Sequence, residues 1–122
     1  MMSLREYADA GVADLLERAA DVMAERGLTK GVRLNPANGA VDIISALALA
    51  GGADPKHLIG SRSLFDTGIP AVREAALLIA VDVLEATLMA DPEEWSDSPR
   101  VGPREVERLL RQTATRLRIA IT

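Results

Sequence analysis

The chain has no cysteine, one histidine, and one each of tryptophan, tyrosine and phenylalanine in 122 residues. Without cysteine there is no disulfide, no thiolate nucleophile and no Cys-ligated metal, a pattern compatible with the cytosol. The lone His57 has no histidine partner and no Glu-x-x-His pair beside it, which argues against a carboxylate-bridged di-iron site and makes it a loop histidine. Neither phosphate-cradling glycine motif is present, and no nucleophile elbow accompanies the histidine. Long apolar runs are missing too: the stretch at 75–81 is interrupted by Asp82 and Glu85, well short of the roughly 20 residues a membrane span needs. The opening MMSLREYADAG has no apolar h-region of a secretory signal. These absences assign no catalytic residue, no cofactor and no metal, and they predict a cytoplasmic protein with no membrane partner.

What is present is an ordinary globular composition, 48% apolar and 26% charged, with only 2% aromatic residues. The core must therefore be filled by Leu, Ile, Val, Ala and Met. The length suits a single domain over 1–122. The net charge of −4 weighs against non-specific nucleic-acid binding.

Apolar positions at Leu4, Tyr7, Val12, Leu15, Leu16, Ala19 and Met23 recur with helical spacing and predict a helix over 4–26. Ser3 with Glu6 fits a capping box at its start, Gly27 is a natural stop, and Gly11 marks where it would break if it breaks. Asn35-Pro36-Ala37-Asn38-Gly39 is turn chemistry. The apolar IISALALA predicts a mostly buried second helix over 41–50, stopped by Gly51-Gly52. Residues 53–69 read as an irregular connection, with one short turn of helix near His57 and a turn near Phe65. A third helix over 70–90 opens with Pro70 at its first position, has no polar face through AALLIAV, and is expected to be the central helix; Asp91-Pro92 ends it. The fourth begins at Pro103, with Gly102 as N-cap, Glu105 reaching back to the Gly102 N–H, and Val101 with Val106 as a hydrophobic staple. The expected fold is all-α: an irregular four-helix bundle with a long loop between the second and third helices, and a minor β-hairpin near 32–42 as a further element.

The single Trp95 falls in the Ser/Asp/Pro-rich loop ahead of that last helix. It is expected to plug the gap between the third and fourth helices, with Asp97 or a loop carbonyl accepting its N–H. A candidate pocket would combine Trp95, Asp97 and Asp82, where a buried carboxylate could act as a general acid. The plainer reading makes Asp82 and Glu85 the wet edge of the third helix.

Charge is segregated. Arg104, Arg108, Arg111 and Arg118 fall within ~80° of the last helix, at about 100° per residue. Asp14, Glu17, Asp21 and Glu25 line one arc of the first, and like charges spaced i,i+4 mildly oppose an isolated helix. Both stripes are either solvated faces or a recognition surface. As a surface they could meet between protomers, giving a homo-oligomer, or the arginines could meet phosphates, with no aromatic on that face for base stacking.

PEEWSDSPR followed by VGPREVERLL resembles a family of small proteins of unknown function from actinobacteria and their phages. Its signature is Trp-Asn-Asp-x-Pro before a capped C-terminal helix. Trp95, Asp97 and Pro99 match; Ser96 replaces the Asn, and Gly102 replaces a Thr or Ser. Upstream, AERGLTKG is similar to the family's Arg-Gly-Trp-Thr-x-Gly exit, with Leu28 at the Trp position. The Cys-x-x-Gly-Ala that opens the family's second helix is represented by Asp42, Ser45 and Ala46, so only the Ala survives. The resemblance implies an all-helical fold and no catalytic residues. Together these readings predict a non-catalytic interaction or accessory protein that self-associates or binds a protein partner through charged helix faces. A nucleic-acid-associated regulator is the alternative, and a small ligand-binding protein or enzyme at Trp95 the third reading.

Overall fold

The computed structural model describes residues 4–55 and 71–121, with side chains over 11–55 and 75–120. The expected caps at Ser3 and Pro70, and the expectations for His57 and Phe65, lie outside the described residues. Five helices follow in order: α1 (Leu4–Arg26), α2 (Ile43–Ala50), α3 (Ala71–Leu88), α4 (Pro92–Asp97) and α5 (Pro103–Ile121). No sheet occurs among the described residues.

Helix α1 runs through Gly11 unbroken and stops where Gly27 takes a φ of 83°, the left-handed conformation that glycine adopts without strain. Its inner stripe, Val12, Leu15, Leu16, Ala19, Ala20 and Met23, is buried. This stripe packs against α5 most extensively, then α2, then α3. The central helix is therefore α1, which corrects the expectation for α3. The apolar run in α3 is not wrapped on all sides: only Leu77, Ala80 and Leu84 are buried, while Leu78 and Ile79 are exposed. Composition alone cannot tell a helix that others surround from one that turns half its apolar surface outward. At its C-terminus Met89 takes φ 54° in the role glycine usually fills, and the Ala90 N–H reaches the Glu85 carbonyl at 3.4 Å, a Schellman-type closure.

Between α1 and α2 the chain makes the predicted turn: the Gly39 N–H donates to the Asn35 carbonyl at 2.8 Å, and the Asn35 N–H to the Ala40 carbonyl at 2.8 Å. The hairpin shrinks to isolated bridges, Leu34 with Val41 antiparallel and Leu28 with Val41 parallel. Val41 is thus a bridge residue, and α2 starts two residues later than expected, with Asp42 as its N-cap. As expected, α2 is buried from Ile43 to Ala48.

The second correction concerns the loop ahead of α5. Residues Pro92–Asp97 form a short helix, α4, capped by Asp91, whose carboxylate accepts from the Glu93 N–H at 2.8 Å. Asp91-Pro92 therefore opens a helix rather than closing the previous one. The logic that placed Pro103 at a helix start applies equally to Pro92 with Glu93 and Glu94 in the first turn. The α5 entry forms as predicted: the Gly102 N–H donates to Glu105 Oε2 at 3.0 Å, and Val101 and Val106 are both buried.

Candidate functional site

The two charge stripes meet each other within one chain. Because α1 and α5 are the most extensively packed pair, their flanking charges face one another along the seam. Arg118 Nη2 lies 2.8 Å from Asp14 Oδ1, and its Nη1 pairs with Glu17. Arg111 Nη2 lies 2.8 Å from Asp21 Oδ1 and also pairs with Glu107, one turn back on its own helix, at 3.0 Å. Hydrogen bonds donated to Glu17 and Asp14 hold the Arg118 guanidinium above its usual pKa, and those donated to Asp21 and Glu107 do the same for Arg111. The repulsion along Asp14, Glu17 and Asp21 is thereby offset from across the seam. All of these groups remain partly wet, so each pair contributes roughly 0–1 kcal/mol.

Of the eight stripe residues, Arg104, Arg108 and Glu25 take no part in the seam. Arg104 and Arg108 sit on the outward face of α5 and make no ion pair among the described residues. With Glu107, Arg111 and Gln112 they line an open depression of about 380 Å³. Further along the same face, Ile119 is 69% exposed. At helical spacing, residues 104, 108, 112, 115 and 119 form one ridge, cationic at its start and apolar at its end.

The three residues of the candidate pocket have different surroundings. Trp95 is half-buried and packs against the core, and its helix contacts α2 and α3. Asp97 does not serve the indole; its Oδ1 accepts from the Gly31 N–H at 3.2 Å. Asp82 is exposed on α3, on the side away from the buried Leu77, Ala80 and Leu84. No group of three or more His, Asp or Glu side chains is placed to hold a metal ion among the described residues. Nor is any described helix long and apolar enough to cross a membrane.

A second charged group was not picked out from the sequence. Asp42, 2% exposed, accepts from the Ser45 N–H at 2.7 Å and pairs with Arg33 Nη1 at 3.2 Å. The same Arg33 nitrogen lies 3.4 Å from Glu93 Oε1 on α4. Burial pushes the Asp42 carboxyl above its ordinary 3.8, offset in part by the Ser45 N–H and the Arg33 charge, while Glu93 adds to the rise. In the same loop Lys30 donates to the Ser98 carbonyl and, at 2.7 Å, to the Val101 carbonyl. The segment 30–33 therefore fastens both α4 and the α4–α5 connection. Asp42 three residues before Ser45 at the head of an apolar run was the one available sequence signal, an N-cap pattern. Arg33 and Lys30 had none.

Residues 8–116 match the model of a family described as a family of unknown function (DUF6197). No curated protein matches the chain, and no solved structure does.

Proposed function

The chain belongs to the family of unknown function DUF6197, and we propose that it is a non-catalytic interaction protein whose outward α5 ridge docks an acidic segment of another protein. The observation that carries this reading is the division of labour among the arginines. Arg111 and Arg118 are engaged by α1, whereas Arg104 and Arg108 border a depression and, among the described residues, have no carboxylate from α1 paired with them. Charge attracts an anionic partner to that end of the ridge, and exposed Ile119 offers an apolar contact at the other. Self-association through the stripes has less physical motive, because Arg111 and Arg118 already pair with Asp14, Glu17 and Asp21 in the same chain.

A nucleic acid is the second reading, since two outward arginines also suit phosphates. It is disfavoured by Asp14, Glu17 and Asp21 along the neighbouring seam, which an extended phosphate backbone would meet. A short acidic peptide avoids them.

The test is fluorescence anisotropy with a labelled glutamate-rich peptide and, separately, random single-stranded DNA and RNA at low and moderate salt. The expected result is salt-sensitive peptide binding, lost in the Arg104→Glu/Arg108→Glu double variant, with weaker nucleic-acid binding. Nucleic acid binding more tightly than the peptide, and lost in the same variant, would transfer the ridge to the second reading. No binding of either probe removes both.

A further inference from the structure

Beyond that docking face, the buried group at the head of α2 has the geometry of a regulatory device. Asp42 lies inside the protein, yet among the described residues its charge is matched by a single cation, Arg33, which also serves Glu93 on α4. Two carboxylates thus share one guanidinium, one of them buried and the other, Glu93, with 45% of its side chain exposed. The charges acting on Asp42 come from the loop (Arg33) and from α4 (Glu93); α2 itself, IISALALA, carries none. The Ser45 hydroxyl is buried next to this cap and, against the rise that burial causes, lowers the Asp42 carboxyl, although it forms no well-aligned hydrogen bond among the described residues.

We propose that Asp42, Arg33 and Glu93 form a proton-sensitive clamp between α2 and α4. Taking up a proton makes Asp42 neutral; the Arg33 guanidinium then keeps Glu93 as its charged partner, the backbone bond from the Asp42 N–H to the Arg33 carbonyl stays, and α4 loses its charged tie to the head of α2. A neutral Asp42 keeps a carbonyl oxygen for the Ser45 N–H, so α2 remains capped. Burial raises this proton uptake above the ordinary aspartate value. The change stays within the folded protein rather than unfolding it. Because segment 30–33 also holds the Ser98 and Val101 carbonyls through Lys30, loosening Arg33 reaches the connection that leads into α5.

Trp95, the only tryptophan, sits on α4 two residues from Glu93 and reports on the clamp without labelling. The experiment follows its emission, together with far-UV circular dichroism, from neutral pH to about 4 in the native protein, Asp42→Asn and Glu93→Gln. The expected result is a reversible emission shift with helix content retained, absent in Asp42→Asn and moved to lower pH in Glu93→Gln, where the like charge is gone. The carboxyl carbon shift of Asp42, followed by NMR in the native protein, needs no variant to fold; its midpoint should lie above 3.8. A midpoint at or below that value, an emission shift that survives in Asp42→Asn, no shift at all, or a shift that coincides with loss of helix would each overturn the clamp.

Discussion

Three described arginines, Arg33, Arg111 and Arg118, each stand between two carboxylates, and Arg118 and Arg33 do so under opposite conditions. Arg118 joins Asp14 and Glu17 on the open seam between α1 and α5, its side chain 43% exposed. Arg33 joins Asp42 and Glu93 where the loop meets α2 and α4; its side chain is 16% exposed and that of Asp42 only 3%. Water screens the first arrangement, and removing a partner leaves a group that solvent can satisfy. In the second, removing a partner strands charge inside the protein. The same pairing therefore trims repulsion at the surface and becomes structural in the interior.

The sharpest way to separate the two sites is to delete one carboxylate from each. Asp42→Ala removes both the α2 cap and the buried partner of Arg33, and should cost about 3 kcal/mol in urea unfolding. Asp42→Asn, which keeps an acceptor for the Ser45 N–H, should cost markedly less than the alanine variant in the same titration. Equal losses would mean that charge, not capping, dominates the site.

The pH dependence divides the sites in a second way. The folded Asp42 carboxyl lies above its unfolded value near 3.8, so its stabilising contribution is fully present below that pH and fades as pH rises through the folded value. The native protein should thus gain stability relative to Asp42→Asn as pH falls from neutral toward that range. Urea midpoints at a series of pH values measure it, and a gain in the opposite direction would contradict the burial argument.

Smaller effects belong to the surface. Glu105→Ala should cost roughly 0.5–1 kcal/mol by leaving the Gly102 N–H unpaired at the entry to α5. Arg118→Ala should cost less than about 1 kcal/mol, and the loss should shrink further as salt is added. If Arg118→Ala matched Asp42→Ala, the contrast between the wet and buried sites would fail.

The contrast also marks where sequence reasoning stops. Helix ends written in local chemistry were legible: Gly27 in its left-handed turn, the Gly102–Glu105 box, the burial of Val101 and Val106 around it, and α2 as a buried helix. The stripes were legible as faces, since spacing places side chains on an arc. Their mutual pairing was not, because spacing does not say which helix lies opposite. Asp91-Pro92-Glu93-Glu94 carries the start signal for α4, but Asp-Pro after an apolar helix carries a stop signal as well, and spacing alone does not rank the two. The Trp95, Asp97 and Asp82 grouping rested on nearness in sequence and chemical type, and the fold sends them to the core, to Gly31 and to solvent. Arg33 and Lys30 are isolated cations in an aperiodic loop; their partners lie 60 to 71 residues away for all but Asp42, and only the packed chain brings them together.

Sedimentation velocity at low salt, from micromolar concentration upward, bears most directly on the closure of the charge seam within one chain. The expected result is a single monomeric species whose mass does not change when salt is added. A dimer that salt dissociates and Arg118→Glu abolishes would show that the stripes find their partners between molecules instead.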